Sequence, residues 1–217
     1  MPLSEYFSNI RVKFFAAAAL TALTCLTATG CDTADPGTSG PVGSTTSSAQ
    51  ASPTTSSSKA AEPGPADYSR LLLQAADLSD DEDTFAVRST SGGPNGLPGA
   101  SALFVNADDT RAISDTIVMY PDAAAATATL NQALPEIGKV VTGGTPQPVA
   151  VGTDGSMTVG TSPDGSKATT LLLFTHGPAF VRLQFESAPE DPTTDRFVNA
   201  IGRMQQIALR VGLGAGE

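Results

Sequence analysis

The sequence predicts an α+β domain in which helices pack on one face of an antiparallel sheet. Two segments, near residues 122–141 and 191–211, place apolar residues at helical spacing. Around them lie short strand-like runs separated by Asp-Asp, Asp-Gly and Gly-Pro steps, the chemistry of tight turns. The order is strand pair, helix, run of hairpins, closing helix, which is how an antiparallel sheet with segregated helices is written along a chain.

The domain is not where the chain begins. Phe14 to Cys31, FFAAAALTALTCLTATGC, is an apolar run behind Arg11 and Lys13 that ends on the small residues Ala28-Thr29-Gly30. A basic start, an apolar core and a small-residue cleavage site are the parts of a secretory signal. The run falls short of the roughly 20 residues that cross about 30 Å of hydrocarbon, so residues 1–30 are expected to be removed and the remainder exported. Ala28-Thr29-Gly30-Cys31 resembles the lipobox of bacterial lipoproteins, with Ala28 where an aliphatic residue is usual. That resemblance implies cleavage between Gly30 and Cys31, a diacylglyceryl group on the Cys31 sulfur, and a location on the outer face of the cell membrane. Cys25, the other cysteine, lies inside the apolar run. After cleavage Cys31 stands alone, and an exported chain with one unpaired thiol calls for a reason. Two acyl chains hold a protein stably where one does not.

Residues 31–66 contain the cysteine and then a Ser-, Thr-, Pro-, Gly- and Ala-rich stretch with Val42 as its one large aliphatic side chain. Such a composition cannot bury enough apolar surface to offset its ordering entropy. A disordered tether is expected, spanning roughly 30–35 Å by square-root scaling, and its Ser and Thr content suits a glycosylated stalk. Residues 67–217 then have the length of one domain.

Within that domain Tyr68 to Leu78 reads as a short opening helix or segment packing Leu71, Leu72 and Leu78, followed by the acidic cluster Asp80-Asp81-Glu82-Asp83. Ser89 to Gly99 reads as a loop, and Ala102–Ala107 and Ala112–Tyr120 as strands, the second with Ile113, Ile117 and Met119 in alternate register. Asp122 stands where an N-cap belongs. Ala126, Leu130, Leu134, Ile137 and Val141 follow at spacings of 4, 4, 3 and 4, with a break expected at Pro135. Strands are expected at Pro148–Gly152, Ser156–Thr161, Lys167–His176 and Ala179–Ser187, turning at Asp154-Gly155, Asp164-Gly165 and Gly177-Pro178. Leu171 to Phe174, apolar on both sides, reads as the central strand; Arg182, Gln184 and Glu186 read as the wet side of the last strand. Phe180 shares their parity and reads as core-edge packing or the wall of a groove. Asp191-Pro192 would open the final helix, Phe197, Ile201, Met204, Ala208 and Val211 would form its buried stripe, and Gly212 would end it.

This order of elements, with phrases such as Met119-Tyr120-Pro121-Asp122, resembles the LpqN-type, PsbP/Mog1-like lipoproteins of mycobacteria and their relatives. It is also similar to the sensor domains of some mycobacterial receptor kinases, although those carry disulfides and this domain has no cysteine.

Composition narrows function. The chain carries 12 Lys and Arg against 22 Asp and Glu, a formal net charge of −10, and an acidic protein repels the phosphate backbones that basic residues must neutralise, so nucleic acid is not an expected partner. No cofactor, metal or catalytic residue is expected, since Cys and His clusters are lacking. His176, the one histidine, precedes Gly177-Pro178 and reads as a turn or surface residue. Asp77 to Asp83 fails the EF-hand pattern because Glu82 stands in the glycine position and Arg88 in that of the bidentate Glu. Arg196, Arg203 and Arg210 recur every seven residues along the final helix, with Asn199 and Gln206 between them. They read as a solvated face or a contact to anionic lipid or an acidic partner. The expectation is a non-enzymatic, lipid-anchored binding or interaction module whose partner is a protein of the cell envelope or a lipid; a lipid or glycolipid carrier and a cell-wall enzyme are the alternatives.

Overall fold

In the computed structural model, which describes residues 67–214, seven strands form one fully antiparallel sheet. They are β1 (Phe85–Gly92), β2 (Gly99–Asn106), β3 (Ala112–Met119), β4 (Gln147–Pro148), β5 (Thr153–Thr161), β6 (Ala168–His176) and β7 (Ala179–Ser187). The spatial order is β1-β2-β3-β7-β6-β5-β4. The sheet is thus two meanders joined where β3 pairs with β7, from Ala112 opposite Glu186 to Met119 opposite Ala179. Three helices accompany it: α1 (Ala75–Leu78), α2 (Ala123–Ala133) and α3 (Asp195–Gly214). The α+β class and the antiparallel sheet are as the sequence predicts.

The helices, however, divide between the two faces. Against one face pack α3 and the opening segment, with Leu71, Phe104, Ile117, Leu172, Phe174, Leu183, Val198, Ile201 and Leu209 in a common core. Against the other pack α2 and the turn after it, on Val118, Leu171, Leu173 and Phe180. Two physical reasons separate them. β6 is apolar on both sides, so each face needs a cover. The chain must also travel from β3 to β4 across β7, β6 and β5, four inter-strand gaps or about 19 Å. Eleven helical residues span about 16 Å of that distance, and a 3-10 turn at Leu134–Lys139 extends it.

α2 follows its sequence closely. The Asp122 carboxylate accepts from Ala125 N–H at 2.8 Å, Ala126, Leu130, Ile137 and Val141 are buried, and the α-helix stops at Ala133, before Pro135. Phe180 is core, not groove. Several other expectations are corrected. Phe85–Gly92 is an edge strand, overlapping the expected loop at 89–99. Asp154-Gly155 does not turn the chain but forms a bulge inside β5, where the register slips between Thr153 and Ser156. β7, not β6, holds the middle of the sheet. Its side carrying Arg182, Gln184 and Glu186 is wet only toward its end, for Arg182 is only 3% exposed and shares its face with the α2 core, while Gln184 and Glu186 are half-buried.

The final helix begins later and ends later than expected. Thr194, not Asp191, sits before its first turn and accepts from Phe197 N–H at 3.3 Å, and Gly212 lies inside it. Its buried stripe is Val198, Ile201, Gly202, Gln205 and Leu209, so Phe197, Met204 and Ala208 are only half-buried and Val211 is exposed. Gly202 explains the rotation: a Cβ there would come within 2.5 Å of Leu172 Cδ2 and 3.0 Å of Val151 Cγ1. The helix backbone rests directly on the sheet.

Candidate functional site

Arg196, Arg203 and Arg210 are all exposed on α3. At about 100° per residue their positions fall within some 40° of one another on the helix surface, opposite the buried line through Gln205. Ala200, Ile207 and Val211 lie along one flank of this row, about 20–60° around the axis from Arg196, and Ile207 is 49% and Val211 65% exposed. Among the described residues none of the three arginines forms an ion pair. Elsewhere in the domain arginines are engaged. Arg88 pairs with Asp109, and Arg111 with both Asp83 and Asp191. The two polar residues between the arginines lie along the other flank, about 20–40° from Arg210, with their side chains bonded to backbone: Asn199 donates to the Asp195 carbonyl at 2.8 Å and Gln206 Oε1 accepts from Gly152 N–H at 3.0 Å. The outer face of α3 is therefore cationic and apolar together.

Beside the N-terminal end of α3 opens a cleft of about 640 Å³, with the acidic loop Asp80–Asp83, Glu186, Arg111 and Arg196 among its lining and Phe85 and Phe197 on its apolar side. Two of the four carboxylates of the acidic loop are engaged. Asp80 Oδ1 accepts from the backbone N–H groups of Glu82 and Asp83 at 2.9 and 2.8 Å, and those bonds hold its pKa below the usual carboxylate range. Asp83 accepts from Asn106 Nδ2 at 2.7 Å and meets Arg111 Nε at 3.0 Å. Among the described residues no three His, Cys, Asp or Glu side chains gather as a metal-binding group.

One titratable group lies where the sequence reading placed nothing functional. Asp115, on β3, is fully buried, and Leu73 N–H donates to its Oδ2 at 3.1 Å. Burial pushes its pKa up to about 7, and the Leu73 bond only partly opposes that rise. From α3, Gln205 Nε2 donates to the Leu71 carbonyl at 2.8 Å. Two buried polar side chains from different elements thus hold the same strap, residues 71–73. Asp115 Oδ1 and Gln205 Oε1 have no hydrogen-bond partner among the described residues. The signal was present in the sequence, for Asp115 interrupts the alternation of Ile113, Ile117 and Met119 on the core-facing parity of its strand.

His176 is half-buried at the end of β6, before Gly177 with φ +54°. Gly30, Cys31, the signal peptide and the tether lie outside the described residues, as do the last three residues of the chain. Among the described residues no helix is long and apolar enough to cross a membrane. No family model, curated protein or solved structure matches the chain.

Proposed function

We propose that this chain is an extracytoplasmic lipoprotein, held to the outer face of the cell membrane through acylated Cys31, whose domain serves as a non-enzymatic binding module. The observation that carries the reading is the succession along one chain of a basic and apolar leader, Ala28-Thr29-Gly30-Cys31, a stretch poor in large apolar residues, and a sheet domain that needs no disulfide. Each part has one physical task. The leader exports, the cysteine anchors, the low-hydrophobicity stretch gives reach, and the domain presents a surface.

The binding surface is the α3 end of the domain, where the cleft and the outer arginines adjoin at Arg196. A charged rim over Phe85 and Phe197 suits a ligand with both polar and apolar parts. The direct test is the intact mass of the protein purified from its own membranes. A chain beginning at Cys31 and heavier by a diacylglyceryl group is expected, and Cys31→Ser should move the protein from the detergent phase to the aqueous phase. An unmodified thiol at Cys31 would overturn the proposal.

A further inference from the structure

We propose that the outward face of α3 docks flat on an anionic lipid bilayer, with the guanidinium groups of Arg196, Arg203 and Arg210 on headgroup phosphates and Ile207 and Val211 seated between lipids. This deepens the anchoring reading by naming the surface against which the tethered domain comes to rest.

Three observations converge on this face. The first is charge without a partner. Residues 67–214 contain nine Lys and Arg against seventeen Asp and Glu, an excess of carboxylates that should find every arginine a mate, yet these three pair with none among the described residues. The second is what flanks the charges. Ala200, Ile207 and Val211 flank the arginine row on one side, with Ile207 49% and Val211 65% exposed, while Asn199 and Gln206 flank it on the other with their side chains bonded to backbone groups. Cationic heads on long apolar stems beside exposed aliphatic side chains are what an interfacial helix needs, because the stems and aliphatics enter the headgroup layer while the charges stay at phosphate level. The third is the field of the whole domain, which is acidic and repelled by an anionic surface in most orientations. The orientation least opposed is the one that turns the arginine row toward the surface. Asp195, the one acid of α3, lies at its N-terminal end about 60–100° around the axis from the three arginines, and the acidic loop Asp80–Asp83 borders the row at Arg196.

Each arginine near an anionic surface is worth roughly fivefold in association, so three give on the order of a hundredfold. That is weak for a free domain. It suffices for one already held nearby, since a short flexible link raises the local concentration of surface to the millimolar range.

The test uses the full mature chain, in which an acylated Cys31 leaves no other thiol. An environment-sensitive fluorophore is placed at Ala200→Cys on α3, or at Gln132→Cys on α2, exposed on the opposite face of the sheet. Each protein is added to vesicles of phosphatidylcholine alone or of phosphatidylcholine with one-third phosphatidylglycerol. The expected result is a blue shift of the Ala200 probe in the anionic vesicles only, reversed by high salt, absent from the Gln132 probe, and lost in R196E/R203E/R210E. Should the triple reversal disturb folding by circular dichroism, R203Q/R210Q is expected to reduce the shift at least tenfold in lipid affinity. Equal emission in both vesicle types, or an equal response from Gln132, overturns docking. So does a shift produced by polyglutamate without lipid, which would assign the face to an acidic protein. Intact mass reports acylation separately: an acylated but unshifted protein removes the docking alone, and where Cys31 proves unmodified the probes are placed on a Cys31→Ser background, in which a retained shift removes the anchor alone.

Discussion

Asp115 sits on β3 between Ile113 and Ile117 with its carboxyl inside the core, accepting from Leu73 N–H of the strap whose Leu71 carbonyl is bonded by Gln205 of α3. Its pKa near 7, against an ordinary value of 3.8, means that the folded chain keeps a proton the unfolded chain has released. Stability from this group is complete below about pH 4 and is lost as pH rises toward 7, at up to about 1.4 kcal/mol per pH unit. Asp115→Asn keeps an acceptor for Leu73 N–H and cannot ionise. Urea unfolding at intervals from pH 4 to pH 8 should therefore show a falling free energy in the parent and a flatter profile in the variant. Parallel profiles would show that the carboxyl titrates elsewhere. The exposed Asp164 acts at the opposite end of the scale, because hydrogen bonds from Ser162 and then Ser166 lower its pKa to about 2; its small contribution is present above the ordinary carboxylate range and lost in strong acid. The arginines of the outer face were legible from their seven-residue repeat. Ile207 and Val211 were not, since apolar spacing assigned Val211 to the core.

Among the elements, α2 was readable because every local signal agreed: a cap at Asp122, an apolar line from Ala126 to Val141, and a stop before Pro135. α3 was readable in existence but rotated in register. Its contact line runs through Gly202 and Gln205, and a count of apolar residues passes over a glycine that admits close approach and a glutamine that bonds the Leu71 carbonyl. β1 escaped notice for a related reason. An edge strand with only Phe85 buried has no need of alternation, and FAVRSTSG shows little. Gly202→Ala tests the close approach directly. The added methyl meets Leu172 and Val151, and although alanine favours the helix by up to about 1 kcal/mol, overpacking should outweigh it and leave the domain about 1–2 kcal/mol less stable. A rise in the thermal midpoint would show that the helix stands farther from the sheet. Gln205→Ala should cost a similar amount, about 1–3 kcal/mol, by leaving the Leu71 carbonyl buried and unbonded, and hydrogen exchange should report faster opening of residues 71–73. Unchanged protection there would release Gln205 from its role.

At the scale of the molecule, stability rests on two cores sharing one sheet, with no covalent staple, as both cysteines precede residue 67. Reducing agent should leave the thermal midpoint unchanged, and a shift of several degrees would reveal a cross-link through Cys25 or Cys31. Brief digestion with a broad-specificity protease should converge on a fragment starting close to Tyr68, because Leu71 to Leu73 are buried from there onward; stable fragments starting well before residue 60 would enlarge the domain. The two rims of the sheet differ in a way that bears on how these molecules crowd together. One ends in the two-residue β4, closed by Pro148, whose nitrogen has no hydrogen to offer. The other is eight residues of β1, largely bare, yet kinked where its register slips between Val87 and Ser89. A neighbouring ribbon could zip onto only three or four residues before the kink threw it out of step. Proteins packed densely along one surface would thus slide past each other there and not polymerise edge to edge.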